Sequence, residues 1–221
     1  QVVISNETKN IISIYDLEPN TRYNIDVKSL VSKKTTGTMF NTDMEYVRLN
    51  VKRFGAKGDG VHLDSIPIQA AIMACPNEGT VFIPKGDYYC TPIFLRSNIN
   101  IEFEEGAKLI GHIDRGVYPV LPGYTITSDE EDEYYLGTWE GNPLDKFASL
   151  ITGINVENVN IFGKGIIDGN GSNGDWWHEV RHRRTAWRPR TIFLKGCKNI
   201  VFQGLRIQNS PSWTIHPYMS D

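Results

Sequence analysis

The sequence has few cysteines, little net charge and no long apolar run. Its 221 residues include three cysteines and carry a formal net charge of −3, so nothing global points to nucleic acid as a partner. No apolar stretch approaches the roughly 20 residues that a membrane-spanning helix needs. The first residues, QVVISNETKN, lack the basic and then apolar order of an export signal. We therefore expect neither a nucleic-acid nor a membrane partner.

The hydrophobic content of 40% and the aromatic content of 11% predict a substantial buried core in one or two domains. The cysteines leave two interpretations open. Cys75, Cys90 and Cys197 form a sparse, odd-numbered set, which is typical of buried thiols. A Cys75–Cys90 disulfide is the alternative, because both residues flank the same short segment.

Residues 1–43 consist of short alternating segments and turns. IISIY, YNIDVKSLV and TMFNT predict strands, and LEPNTRY and KKTTG predict the turns between them. The spacing L-x-P-x-T-x-Y from Leu17 to Tyr23 predicts a tyrosine corner, in which Pro19 sets the turn and the Tyr23 hydroxyl bonds to upstream backbone. This spacing resembles the end of a fibronectin type III domain, which implies that residues 1–43 are the C-terminal part of such a β-sandwich.

After a linker at residues 44–48, the sequence predicts a strand, a Gly-rich turn and a helix over 64–75. Asp64 or Ser65 is the predicted N-cap, and Pro67 suits the first helical turn. The apolar face of this helix comprises Ile68, Ala71, Ile72 and Cys75. A phosphate-binding loop at GAKGDG is the alternative, but no Lys-Ser/Thr pair opens the helix.

Short strands punctuated by Gly or Asn fill the rest of the chain. They are TVFIP, TPIFL, INIEF, AKLIG, SLITG, VNIFG, GIIDG, TIFLK, NIVFQG, LRIQN and WTIHP. Ile192 and Ile215 lie 23 residues apart with two short strands between them, which predicts three-stranded coils of a right-handed parallel β-helix over residues 49–221. Asn and Gly would take the tight bends. The 64–75 helix would cap the open first coil.

The segments FGAKGDG, GTVFIPKGDYY, LRSNINIEFEEGAKLIG, IIDGNG, RPR and NSPSWTIHP resemble glycoside hydrolase family 28, the polygalacturonase group. The resemblance covers about residues 49–221, and a preceding fibronectin-like domain resembles the bacterial exo-acting members. It implies an all-β, pectin-lyase-like fold and inverting hydrolysis of α-1,4-galacturonosidic bonds. It further implies polygalacturonate or pectin oligosaccharides as partners, no cofactor, no metal, and a secreted or periplasmic enzyme.

The motifs that carry the family's catalysis follow the Asn-Ser-Pro coil, and the chain ends before that point. It contains no adjacent Asp pair and no Gly-His-Gly. Asn41-Thr42-Asp43 matches a family triplet but precedes the predicted β-helix, and Arg206-Ile207-Gln208 lacks the Lys of another motif. We therefore expect no catalytic residue here. The chain is interpreted as a segment, truncated at both ends, that is inactive without the remainder of its parent chain.

The candidate substrate-binding residues lie mainly in RHRRTAWRPR, residues 181–190. Five arginines occur in this stretch although the whole chain is slightly acidic. A planar guanidinium matches the carboxylate that each galacturonate carries, so Arg183, Arg184 and Arg188 are candidates. The alternative is a solvated loop with arginines paired to neighbours such as Glu179.

Two further candidates are aromatic or titratable. Trp187 can stack on a sugar face, as can Trp176 and Trp177, whereas such tryptophans can equally pack the loop down. His216 lies in the WTIHP strand and would line the substrate groove, with a structural hydrogen bond as the alternative.

A long insertion runs from residue 112 to about 147 and contains the acidic run SDEEDEYY at 128–135. This run lacks the spaced oxygen ligands of a calcium loop, so a solvated loop is favoured. Two other functions remain open: a calcium-dependent pectate lyase-like enzyme, and a non-catalytic β-helical module for carbohydrate binding or adhesion.

Overall fold

The computed structural model describes residues 11–123 and 136–221. The chain forms two compact units, Gln1–Tyr46 and Val47–Asp221. The boundary falls within residues 44–48, where the sequence predicts a linker. The acidic run at 128–135 lies outside the described residues.

The first unit is built on one antiparallel hairpin. Its strands are β1 (Arg22–Lys28) and β2 (Thr35–Asn41), which pair along their whole length. Tyr23 and Phe40 face each other in register with ring centroids 5.9 Å apart. The backbone N–H of Glu18 donates to the Tyr23 hydroxyl over 2.8 Å. The predicted upstream bond of the tyrosine corner is therefore confirmed.

The predicted strand at IISIY is wrong. Residues 11–15 have no strand conformation, and within the described part of the unit only β1 and β2 pair with each other. The alternating pattern is insufficient by itself, because a strand also needs a neighbour for its backbone N–H and C=O groups.

The second unit is wound from three parallel sheets. Its strands in chain order are β3 (Arg48–Asn50), β4 (Asp59–Leu63), β5 (Thr80–Ile83), β6 (Gly86–Cys90), β7 (Ile93–Phe94), β8 (Ile99–Phe103), β9 (Ala107–Gly111), β10 (Val120–Leu121), β11 (Lys146–Phe147), β12 (Ile151–Ile154), β13 (Glu157–Gly163), β14 (Ile166–Asp168), β15 (Ile192–Lys195), β16 (Lys198–Gln203), β17 (Arg206–Gln208) and β18 (Ile215–Tyr218). Two 3₁₀ turns, Val51–Phe54 and Arg115–Val117, complete the connections.

Successive strands fall into the three sheets in rotation. Sheet I has the order β16-β13-β8-β5-β3, sheet II the order β17-β14-β9-β6-β4, and sheet III the order β18-β15-β12-β7. All pairs within these sheets are parallel. One strand from each sheet makes one coil. The short antiparallel pair β10–β11 lies in the insertion.

The predicted coil length is confirmed by the register of sheet III. Ile192 of β15 pairs with Ile215 of β18, and Ile151 of β12 pairs with Ile192. Ile151 and Ile192 are buried in one continuous apolar interior, together with Ile101 and Ile161 from sheet I. Each of the eleven sequence segments from TVFIP to WTIHP overlaps an observed strand. The interior is therefore a column of aliphatic side chains repeated from coil to coil.

Asparagines take the bends where three strands of sheet I begin, as the sequence predicts. Asn98, Asn158 and Asn199 have φ of 59°, 55° and 52°. The amide of Asn158 donates to Asn98 Oδ1, and the amide of Asn199 donates to Asn158 Oδ1, both over 2.9 Å. Because Asn tolerates left-handed backbone and bonds locally, the same bend repeats in three coils.

Helix α1 (Ser65–Ala74) buries Ile68, Ala71 and Ile72 against the interior. The predicted capping bond is wrong, although Asp64 does occupy the N-cap position. Its carboxylate instead accepts from the backbone N–H groups of Lys57 (2.7 Å) and Gly58 (2.8 Å). The GAKGDG loop is thus held by a carboxylate of the chain itself, which occupies backbone donors that a phosphate would need. That α1 acts as a cap remains a prediction.

Besides the short pair β10–β11, two strands of sheet II are not predicted by the sequence pattern. β4 lies in the segment that predicts a Gly-rich turn, and β6 follows the Lys85-Gly86 turn without a clear alternation. Both pair in sheet II, so tertiary contact decides their conformation.

The three cysteines are buried and free. The buried-thiol interpretation is therefore confirmed, and the alternative of a Cys75–Cys90 bridge is wrong. Burial raises the pKa of both of these thiols.

Candidate functional site on the outer face of sheet III

One row of side chains faces outward on sheet III. Parallel pairing places four residues in register: Phe94, Thr152, Phe193 and His216. Ile151 and Ile192 precede two of them and point into the interior, so the row points to the opposite face. Phe193 packs there against Leu121 and Ala148. The insertion therefore covers part of this face.

Lys146 enters this face from β11. Its side chain is fully buried, and its Nζ lies 2.9 Å from the centroid of the Phe193 ring. Nζ has no hydrogen-bond partner in the described part of the chain. Burial, followed by the nearby Arg190, lowers the pKa of Lys146 well below its ordinary value.

Arg190 lies beside Lys146, directly ahead of β15. It is 1% exposed, and its guanidinium carbon lies 4.1 Å from the Trp139 ring centroid and 4.8 Å from that of Trp213. Nη1 donates to Ser212 Oγ over 2.9 Å, whereas Nε and Nη2 have no described partner. Burial, followed by Arg188, lowers the pKa of Arg190 to about 10. The site therefore retains unused donors.

His216 follows on β18 and is half-buried. Its ring lies 5.4 Å from Phe193 and 5.3 Å from Trp213, and its Nδ1 is buried without a described partner. Burial, then Lys146 and Arg190, lower the pKa of His216 to about 4. The imidazole is therefore neutral at neutral pH. A structural hydrogen bond is the alternative to a groove-lining role, and Nδ1 makes none within the described residues.

We name Lys146, Arg190 and His216 the basic cluster. None of the ion pairs among residues 11–123 and 136–221 includes any of the three. Buried polar groups are usually paired, so this concentration of unpaired donors marks a candidate anion site.

The 181–190 loop is joined to the insertion beside the basic cluster. Phe147 N–H donates to the Trp187 carbonyl, and Trp187 N–H donates to the Asp145 carbonyl, both over 2.9 Å. The Trp187 ring stacks on Trp139 with centroids 4.6 Å apart and an interplanar angle of 13°. Trp187 therefore holds the 181–190 loop against the insertion, which fits the alternative interpretation of loop packing.

The candidate arginines have different surroundings. Arg183 is exposed. Arg184 pairs with Asp175 (2.5 Å) and with Glu179 (2.8 Å), as the solvated-loop alternative expects. Arg188 is half-buried and donates to the Pro211 carbonyl over 2.8 Å. Arg188 is thus the candidate nearest to the basic cluster, and Arg184 is already held by carboxylates of its own loop.

The underside of the loop is packed by Trp176. This residue is fully buried with Tyr118 and Phe147, and Arg115 lies over its ring at 4.4 Å. Trp177 is 53% exposed and donates from Nε1 to the Ser210 carbonyl over 3.1 Å. The two neighbouring tryptophans therefore differ: the first is structural and the second lies at the surface.

No motif in the sequence marks Lys146, Trp139 or Trp213 as a site residue, and Arg190 is one of five arginines in the basic stretch. The available signal was a lone Lys directly before the apolar run FASLI, inside an insertion. In the described residues there is no group of three or more His, Cys, Asp or Glu side chains arranged to hold a metal. A helix long and apolar enough to cross a bilayer is likewise absent from the described part.

The three parallel sheets, with one strand of each per coil, are the architecture of the parallel β-helix proteins. A family model described as "Glycosyl hydrolases family 28" matches residues 96–221, more than half of the chain. The chain belongs to this family. A second model, "Rhamnogalacturonase A/epimerase, pectate lyase-like", matches residues 48–111.

Relatives with two different kinds of name match the chain. An exo-poly-alpha-D-galacturonosidase of Dickeya chrysanthemi is 32% identical over 161 residues, covering 70% of this chain and 26% of that protein. Plasmin and fibronectin-binding protein A of Streptococcus pneumoniae is 33% identical over 190 residues, covering 81% of this chain and 26% of that protein. The chain thus spans about a quarter of each.

A solved structure shares the fold. The family 28 exopolygalacturonase of Yersinia enterocolitica superposes with a TM-score of 0.71 at 21% identity. The match covers 94% of this chain and 44% of that one. At this identity the likeness concerns the fold alone.

Proposed function

We propose that the chain is part of a hydrolase that cleaves α-1,4-galacturonosidic bonds of polygalacturonate or pectin oligosaccharides. The observation that carries this proposal is the family 28 match over residues 96–221. It includes the strand of His216 and the 181–190 loop. The Dickeya relative is named for this substrate, and the basic cluster suits an acidic polysaccharide.

The substrate would lie along the outer face of sheet III. We propose contacts from Arg183 and Arg188 to sugar carboxylates, from Trp187 to a sugar face, and from His216 in the groove. Arg184 would first have to leave Asp175 and Glu179, so its contact depends on rearrangement of the loop.

The mechanism proposed is inverting hydrolysis. One carboxylic acid protonates the leaving oxygen, and a carboxylate about 6.5–9.5 Å away activates water on the opposite face of the sugar. We place both groups outside residues 1–221, because the chain spans only 26% of the Dickeya enzyme and contains none of the expected catalytic motifs.

We further propose exo cleavage by a secreted or periplasmic enzyme. The Dickeya relative is named as exo-acting, and Leu121 of the insertion packs on the outer face of sheet III, where the insertion would close one end of a groove. We also infer that residues 1–43 end a fibronectin type III domain, which the Tyr23–Glu18 bond supports.

The test is product analysis with the full-length protein and long polygalacturonate. Exo action releases mono- or disaccharide from the start, whereas an early spread of medium oligomers would contradict it. Unsaturated products that absorb ultraviolet light would indicate a lyase instead. Residues 1–221 alone are expected to release no reducing sugar.

A second candidate is a non-catalytic adhesion or carbohydrate-binding module. The 33% identity to the pneumococcal plasmin and fibronectin-binding protein favours it. Pectin binding by the full-length protein without any release of reducing sugar would support this candidate over the hydrolase.

A further inference from the structure

The basic cluster has more hydrogen-bond donors than acceptors. Lys146 Nζ, together with Nε and Nη2 of Arg190, is buried and lacks a described acceptor. A buried donor without an acceptor costs about 1–3 kcal/mol, and more when it is charged. Several in one place indicate that an acceptor is missing.

The aromatic rings around the cluster do not supply that acceptor. Phe193 lies under Lys146, and Trp139 and Trp213 lie on Arg190. Ring faces attract cations but leave their N–H groups without strong acceptors. A carboxylate has two oxygens with about four acceptor positions, which suits an ammonium and a guanidinium fork together.

We propose that Lys146, Arg190 and His216 form a binding site for one carboxylate of a uronic acid, and that Lys146 takes up a proton as the carboxylate binds. The identity of the sugar rests on the proposed function, whereas the anion site rests on the cluster itself. Trp213 is 53% exposed and contacts both Arg190 and His216, so the cluster adjoins the protein surface on this side.

The proton uptake follows from the charges that face Lys146. The basic residues that interact electrostatically with Lys146 are Arg190, ahead of β15, and His216 on β18. The carboxylate of Glu140 interacts with Arg190 and acts to raise its pKa. Burial and Arg190 hold the pKa of Lys146 down, so the free amine is neutral above that lowered pKa. A bound carboxylate favours the ammonium and raises the pKa again. His216 is the competing proton acceptor because its pKa is also lowered.

The experiment is titration calorimetry of the full-length protein with D-galacturonate, and with D-galactose as the uncharged probe. Buffers of different ionisation enthalpy report the protons taken up, at several values from about pH 5 to about pH 9. We expect about one proton per galacturonate bound above the lowered pKa of Lys146, and none with galactose.

Three variants assign the proton. Lys146→Met should abolish the uptake and weaken galacturonate binding about tenfold, the effect of one charge-assisted hydrogen bond. His216→Gln should retain the uptake. Lys198→Met is the matched control, because Lys198 is exposed on β16 of sheet I and should change neither quantity.

The inference is overturned if the unmodified protein binds galacturonate without proton uptake, or no more tightly than galactose. It is also overturned if only His216→Gln abolishes the uptake. These outcomes do not depend on turnover. If galacturonate binds with proton uptake but polygalacturonate is not hydrolysed, the proposed function is wrong and the carboxylate site stands. If polygalacturonate is hydrolysed but Lys146→Met binds galacturonate as tightly as the unmodified protein, the proposed function stands and the carboxylate site is wrong.

Discussion

The side-chain nitrogen of Lys146 lies over the ring of Phe193, 2.9 Å from its centre. The two residues come from different parts of the fold, since Lys146 belongs to the insertion and Phe193 to β15, the third strand of sheet III. Their contact places a fully buried amine on the outer face of sheet III, beside the 181–190 loop. Several predictions about stability and binding depend on this face.

Lys146→Met is expected to stabilise the fold when no ligand is present. The pKa of Lys146 is lower in the folded protein than its ordinary value of 10.5, so the unfolded state binds more protons between the two values. The free energy of unfolding therefore rises with pH across this window. The variant should lose that dependence and gain roughly 1–3 kcal/mol at about pH 6. Urea unfolding at several pH values measures the free energy of unfolding of both proteins. The same pH dependence in the variant and in the unmodified protein would contradict the prediction.

Asp168→Ala is expected to lower the free energy of unfolding by roughly 2–4 kcal/mol. The buried carboxylate accepts from the side chains of Gln208 (2.8 Å) and Asn209 (3.0 Å), from Asn170 N–H (2.9 Å), and pairs with Lys108 (3.2 Å). The truncation leaves these donors unpaired. Asp168→Asn keeps the shape and should cost less.

The same carboxylate predicts a pH dependence. Burial acts to raise the pKa of Asp168, but the bonds from Gln208, Asn170 and Lys108 outweigh it and the pKa is lowered. Its contribution to stability is therefore complete above the ordinary value of 3.8 and is lost as pH falls through the lowered pKa. Thermal unfolding between about pH 2 and about pH 5 should show this loss in the unmodified protein and not in Asp168→Asn.

Asn158→Ala is expected to lower the free energy of unfolding by about 2–3 kcal/mol. The variant loses two side-chain hydrogen bonds, and Ala disfavours the left-handed backbone at this position. Asn158→Gly is the matched control, because Gly accepts the φ of 55° and loses only the bonds. Chemical denaturation should therefore rank the unmodified protein above the Gly variant and the Gly variant above the Ala variant. An Ala variant as stable as the Gly variant would show that the backbone is not strained.

Arg188→Gln in the full-length enzyme is expected to raise KM for polygalacturonate about tenfold at low salt, the effect of one charge-assisted bond. The increase should shrink at high salt, because mobile ions screen charges near the surface. Steady-state kinetics over a salt series measure it, with Lys198→Gln on sheet I as control. An unchanged KM throughout the series would leave Arg188 as a loop-packing residue.

The repeat and its period follow from the amino-acid pattern. The spacing of Ile192 and Ile215 predicted the pairing that sheet III contains, because one coil must return each aliphatic side chain to the same interior column. Asn158 and its equivalents marked the bends, since few residue types accept left-handed backbone. The basic stretch at 181–190 likewise identified a loop beside the candidate site.

The tertiary structure alone decided which basic residues form the cluster. Lys146 and His216 are 70 positions apart in the chain, and no local pattern connects an insertion residue to a later strand. Their proximity depends on how the insertion folds over Phe193. The strands β4 and β6 also depend on partners, because backbone pairing in sheet II overrides weak local preference. The conformational preferences of single residues therefore set the coil period and the bends. Long-range packing decides which basic side chains are buried, and their burial shifts their pKa values.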